Sequence, residues 1–126
     1  MGERIKTPET SFEYRDRSAM FILLVASTDS QETLETVHHL TQATVSRGHR
    51  VVVFFNSQST RLLGSDRDSP HLPALSELGV RLLACRTSVL ETGLAPKVAL
   101  MNGVEMSSLG ELVDLMADAE RVLFLG

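Results

Sequence analysis

Apolar residues gather in five short runs, and the stretches between them are polar or patterned like helices. Met20-Phe21-Ile22-Leu23-Leu24-Val25-Ala26 is continuous, as in a strand buried on both faces of a parallel sheet. Ser27-Thr28-Asp29-Ser30 follows and supplies N-cap residues. Leu34, Val37, Leu40, Thr41, Thr44 and Val45 then recur at helical spacing and stop at Arg47-Gly48, where the glycine suits a C-cap. Arg50-Val51-Val52-Val53-Phe54-Phe55 is a second buried strand, which completes a strand-helix-strand unit. Asn56 to Pro73 is turn-rich, with a helical turn expected at Arg61-Leu62-Leu63. Residues 72–78 read as a helix ending at Gly79, and Val80 to Ala84 as a third strand. Thr87 to Leu100 opens with a helical turn, breaks around Gly93 to Pro96 and resumes briefly. Val104-Glu105-Met106 is a short fourth strand. Ser108 with Glu111 then forms a capping-box signature for a helix whose apolar face is Leu109, Leu112, Val113, Met116 and Ala119. Arg121 to Leu125 is the fifth strand.

Strands alternating with helices predict an α/β fold. The expectation is a three-layer sandwich around a mainly parallel five-stranded sheet, flavodoxin-like in general type. The spacing leaves strand order open. Residues 1–19 are polar and aperiodic, which predicts a flexible N-terminal tail ahead of one domain over 20–126.

Composition narrows the function. The 126 residues suit a single domain that needs no disulfide or metal to hold it together. A net charge of −4 speaks against a nucleic-acid or anionic-membrane surface, and no apolar run reaches ~18 residues. The first twenty residues hold no apolar core resembling a signal peptide, so a cytoplasmic location is expected. Aromatic residues are only 5%, which disfavours stacking platforms for bases or sugars.

Candidate chemistry is sparse. The first strand-helix loop, Ser27 to Ser30, has no glycine, so neither phosphate-binding glycine pattern is present and helix capping is its simpler role. His38 and His39 are adjacent, His49 and His71 are isolated, and no metal-ligand spacing occurs. No metal or organic cofactor is therefore expected. Asp66, Arg67 and Asp68 read as a solvated loop cluster, and Glu105 receives no role. One cysteine remains. Cys85 immediately follows the third strand, ahead of Arg86, Thr87 and Ser88. A lone thiol forms no internal disulfide and makes a poor metal site. Arg86 and the backbone of a following helical turn would favour its anion, and Thr87 and Ser88 carry hydroxyl donors. Free cysteines are also common as small packing residues. The residues alone leave both readings of Cys85 open.

Four segments carry a resemblance: Phe21 to Val25 with the helix ending Arg47-Gly48-His49; Val51 to Asn56; Gly79 to Ser88 around Cys85; and Val104 to Val113 with Ala117 to Leu123. Together they resemble the DsrE/DsrF-like family, which includes TusD-type sulfurtransferase subunits. The resemblance implies a sulfur-relay protein in which Cys85 accepts sulfane sulfur as a persulfide and passes it on. Arg86, Thr87 and Ser88 would stabilise the thiolate and persulfide. It further implies a TusA-like sulfur-carrier partner and a homo-oligomer, trimer or hexamer, with which the apolar excess at Val98, Leu100 and Met101 is compatible. Some subunits of that fold lack a working cysteine and act structurally, which supplies the alternative: a non-catalytic subunit with Cys85 buried.

Overall fold

The computed structural model of the chain describes residues 19–64, 70–93 and 103–126. The expected tail lies outside them for residues 1–18. So do the Asp66-Arg67-Asp68 cluster, the stretch resuming after Gly93, and Val98, Leu100 and Met101.

All five expected strands form: β1 (Phe21–Ala26), β2 (Arg50–Phe55), β3 (Arg81–Cys85), β4 (Val104–Ser107) and β5 (Arg121–Leu125). They make one sheet in the order β4-β3-β2-β1-β5, and every pair is parallel. Among the described residues four helices join them: α1 (Gln31–Ser46), α2 (His71–Glu77), α3 (Arg86–Glu91) and α4 (Leu109–Asp118). A 3-10 helix spans Ser57–Leu63, wider than the single turn expected at Arg61-Leu62-Leu63. Ser30 caps α1 by accepting from the Thr33 N–H, and Gly48, at φ +87°, ends it in the left-handed region that a residue with Cβ avoids.

The sheet divides the core in two, because successive strand residues point to opposite faces. On one face Leu24, Val53, Phe55 and Leu82 pack beneath Leu34 and Val37 of α1, Leu62 and Leu63 of the 3-10 helix, Leu72 and Leu75 of α2, and Val89 of α3. On the other, Leu23, Val25, Val52, Phe54, Leu83 and Cys85 lie beneath Leu112 and Leu115 of α4. This is the three-layer sandwich that the continuous apolar strands require. Its two outer layers are unequal among the described residues: three α-helices and the 3-10 helix on one side, α4 alone on the other.

That inequality marks one end of the sheet. From the carboxyl end of β3 the chain turns to one face, into α3. From the carboxyl end of β4 it turns to the opposite face, into α4. Adjacent strands whose connections part in this way leave a crevice beyond their carboxyl ends, the usual ligand position in open α/β sheets. Cys85 ends β3, and its register partner across the crevice is Ser107, the last residue of β4.

Candidate functional site

The site is a polar row along the carboxyl rim of the sheet. The ladders pair Ala26 with Phe55, Phe55 with Ala84, and Cys85 with Ser107. One step further along each strand, Ser27, Asn56, Cys85 and Ser107 lie side by side on the α4 face. The ladder continues that far, since Asn56 N–H donates to the Ala26 carbonyl at 3.0 Å and Ser27 N–H to the Leu125 carbonyl at 3.2 Å. The side chains follow suit: Ser27 Oγ donates to Asn56 Oδ1 at 3.2 Å. Three of the four residues are alcohols or an amide, and the fourth is the only thiol in the chain.

Cys85 is buried, with 1% of its surface exposed. It precedes α3 in the N-cap position and makes no capping bond with its side chain. The residues expected to serve it have separate places. Arg86 and Thr87 are exposed on the first turn of α3. Ser88 is buried, and its Oγ accepts from the Ser57 N–H at 2.8 Å. That bond ties the end of β2 to α3. Thr60 Oγ1 strengthens the tie, bonding to the Ser57 carbonyl at 2.9 Å and to Thr92 Oγ1 at 3.1 Å. Ser57 itself sits at φ +55°, the only non-glycine described in the left-handed region. Strain of about 1–3 kcal/mol in such a residue persists only where the surroundings impose it, and it gathers at functional sites.

On the far side of Cys85, Ser107 Oγ donates to Glu111 Oε1 in a short hydrogen bond. Glu111 belongs to the first turn of α4, and its own N–H donates to Ser108 Oγ at 3.0 Å. The expected capping box is thus half formed: Ser108 caps the helix, while the Glu111 carboxylate turns to Ser107 and Arg81 instead of back to the cap. Arg81 Nη2 reaches Glu105 Oε1 at 3.0 Å and Glu111 Oε2 at 3.4 Å. The hydrogen bond from Arg81, with its charge behind it, holds the Glu105 carboxyl below the usual carboxylate range, against a smaller opposing effect of desolvation.

The histidines lie elsewhere. His38 of α1 and His71 of α2 share a hydrogen bond between their Nδ1 atoms at 2.8 Å, with His39 beside them. Among the described residues no group of three or more histidine, cysteine or acidic side chains is placed to hold a metal ion. No helix among them is long and apolar enough to cross a membrane. In the first strand-helix loop, Thr28 Oγ1 bonds Thr33 Oγ1 at 2.6 Å and Ser30 caps α1, so its hydroxyls serve the helix start.

Sequence reasoning singled out Cys85 and missed Asn56 and Ser107 beside it in register, and Ser57 and Glu111, which bond to the residues around it. Each is ordinary in sequence. They become a set only through the β2-β3 and β3-β4 registers.

An all-parallel, three-layer α/β sandwich with a single buried cysteine ending the strand beside its switch point defines the class. The sequence model of the DsrE/DsrF-like family matches residues 18–125, and the chain belongs to that family, which is associated with sulfur relay. Solved structures agree on the fold. The ychN protein from E. coli is 18% identical, with a TM-score of 0.69 over 84% of this chain and 98% of its own. MTH1491 from Methanobacterium thermoautotrophicum, described as a protein of unknown function, is 17% identical, with a TM-score of 0.70 over 83% of this chain and 98% of its own. No curated protein matches the chain.

Proposed function

We propose that the protein is a sulfur-relay subunit of the TusD type, carrying sulfane sulfur on Cys85. The observation that supports this most is the position of the cysteine, at the end of β3 in the switch-point crevice of a DsrE/DsrF-like chain. The Cys85 thiolate attacks the outer sulfur of a donor persulfide, R–S–SH. A new S–S bond forms on Cys85, the donor's S–S bond breaks, and the donor leaves as R–S⁻. An acceptor thiolate then attacks the outer sulfur of Cys85–S–SH and regenerates the Cys85 thiolate. Both steps are exchanges with no net oxidation, and no metal or organic cofactor takes part. Arg86 supplies positive charge beside the sulfur, and Thr87, Ser88 and the N–H groups opening α3 supply donors. The partner is a small sulfur carrier of the TusA kind. The chain works as a homo-oligomer, a trimer or hexamer, in the cytoplasm.

Burial sets a condition on this reading. A sulfur 1% exposed meets no partner until its cover moves. The same burial favours a second reading, a structural subunit in which Cys85 only packs. Intact mass spectrometry of the native protein after polysulfide treatment separates the two. Relay predicts a gain of one sulfur atom, which reductant removes and Cys85→Ala abolishes. A thiol that gains sulfur only after denaturation would establish the structural reading.

A further inference from the structure

An anionic sulfur in an apolar layer needs a hydrogen-bond donor, because burial penalises the charged form. Among the described residues the Cys85 side chain has no hydrogen bond. Ser107, its partner in register, gives its hydroxyl proton to Glu111 and turns a lone pair, not a proton, to whatever else approaches. On the α4 face a donor to the sulfur then has to come from the β2 side, beside those that α3 supplies.

We infer that Asn56 is that donor, its side-chain amide aimed by Ser27 to hold the Cys85 thiolate and persulfide. The inference rests on the sulfur-relay reading. Register places Asn56 next to Cys85, one step beyond the Phe55–Ala84 pair. Ser27 Oγ donates to Asn56 Oδ1 from the β1 side, so the amide NH₂ is the end of this side chain left to serve a neighbour on β3. Asn56 also stands in the N-cap position of the 3-10 helix, where asparagine ordinarily spends its side chain on capping. It makes no capping bond there. Its amide nitrogen has no partner among the described residues. The next residue, Ser57, is held at φ +55° with its N–H fixed to Ser88 Oγ, three residues past Cys85. The Asn56-Ser57 corner is therefore anchored to β1 through Ser27 and to α3 through Ser88, with Cys85 between the anchors.

The assisted step is ionisation of the thiol. The S–H bond breaks, the proton passes to solvent base, and the electron pair stays on sulfur as an Nδ2–H···S⁻ hydrogen bond forms. The same donor then serves the persulfide anion. This differs from a contribution of Arg86, whose exposed charge acts through solvent and is screened by salt.

The test is the pH dependence of thiolate ultraviolet absorbance, which needs no reagent to enter the core, with Cys85→Ala as the blank. One hydrogen bond to an anion is worth about tenfold in the ionisation constant. Asn56→Ala should therefore move the midpoint upward by about one pH unit. Asn56→Asp, similar in shape but anionic, should move it further. Ser27→Ala, which frees the amide to rotate, should give a smaller shift in the same direction. These shifts should persist at high salt, whereas that of Arg86→Ala should shrink. Unmoved midpoints in the Asn56 and Ser27 variants would overturn the inference. So would equal shifts in Asn56→Ala and Asn56→Asp, the pattern of lost packing. Should Asn56→Ala not fold, Asn56→Asp and Ser27→Ala decide alone. A wild-type protein that takes up no sulfur while these midpoints still move would sink the relay reading and leave Asn56 as the thiolate donor.

Discussion

Ser57 and Thr41 show, residue by residue, where the chain departs from the most stable choice. Ser57 holds a left-handed backbone that glycine adopts freely. Ser57→Gly relieves strain of about 1 kcal/mol and concedes part of it to unfolded-chain entropy, so a small gain in stability is expected in urea melts. If that strain positions Asn56 beside the sulfur, the same variant loads sulfur more slowly. A more stable protein with unchanged loading would show the strain to be incidental. Thr41 is fully buried on α1, and its Oγ1 has no hydrogen-bond partner. Thr41→Val removes the unpaired hydroxyl at nearly constant volume and should stabilise the fold by about 1 kcal/mol. The helical stripe placed Thr41, but neither its unpaired hydroxyl nor the strain at Ser57 was legible in the sequence. A serine in a polar loop and a threonine on a helix face are ordinary there, since strain and lost hydrogen bonds belong to three-dimensional context. Asn56 was illegible for another reason. Its value lies in being level with Cys85, and strand register is not written in either strand alone. Cys85 stood out because a lone thiol at a strand end is rare, yet its burial depends on α4, which returns from a distant part of the chain.

Between elements, legibility follows periodicity. The five strands were readable because parallel strands buried on both faces are continuous apolar runs, and α1 because its apolar positions repeat every three to four residues. Strand order was not, because the polar segments between strands do not record on which side the chain returns. The contact of α1 with α2 carries a pH prediction. His38 is held below the ordinary imidazole value of 6.5, first by desolvation and then by the neighbouring His71 and His39. With the folded value depressed, the unfolded chain binds more protons as pH falls below about 6.5. Stability should therefore be intact above that pH and decline as pH falls through the folded value. Urea midpoints between pH 8 and 5 should show the decline, and His38→Gln should flatten it; an equally steep profile in the variant would place the titration elsewhere. At the start of α4, Ser108→Ala should cost about 1 kcal/mol through its lost cap. Disrupting the Arg81–Glu105 pair should cost less, since both side chains are about half exposed.

At the scale of the molecule, the described residues expose apolar side chains along α4 and β5. α4 turns Leu112 toward Cys85 and its core, while Leu109, Val113 and Met116, spaced four and three apart, point outward. Leu109 is 53% exposed and Val113 63%; on the edge strand β5, Phe124 is 65% exposed and Leu123 is half-exposed. Single exposed apolar residues are unremarkable, but a helix stripe beside an edge strand is what an association surface would need. The proposed homo-oligomer has a natural seat here. Burying each of these side chains is worth about 1.5–3 kcal/mol, so a charge at the centre of the stripe is costly to assembly and nearly harmless to the folded subunit. Val113→Lys should lower the sedimentation mass toward a single subunit at concentrations where the wild type associates, with its thermal midpoint scarcely moved. Glu105→Lys, off the stripe, serves as a charge control and should leave the mass unchanged. Association through this face would also bear on the sulfur, because the helix that would meet a neighbouring copy has its inner residue Leu112 in the same core cluster as Cys85. If assembly shifts α4, sulfur uptake should rise with protein concentration in the wild type and stay flat in Val113→Lys. Uptake independent of concentration in both would separate the interface from the opening that Cys85 requires.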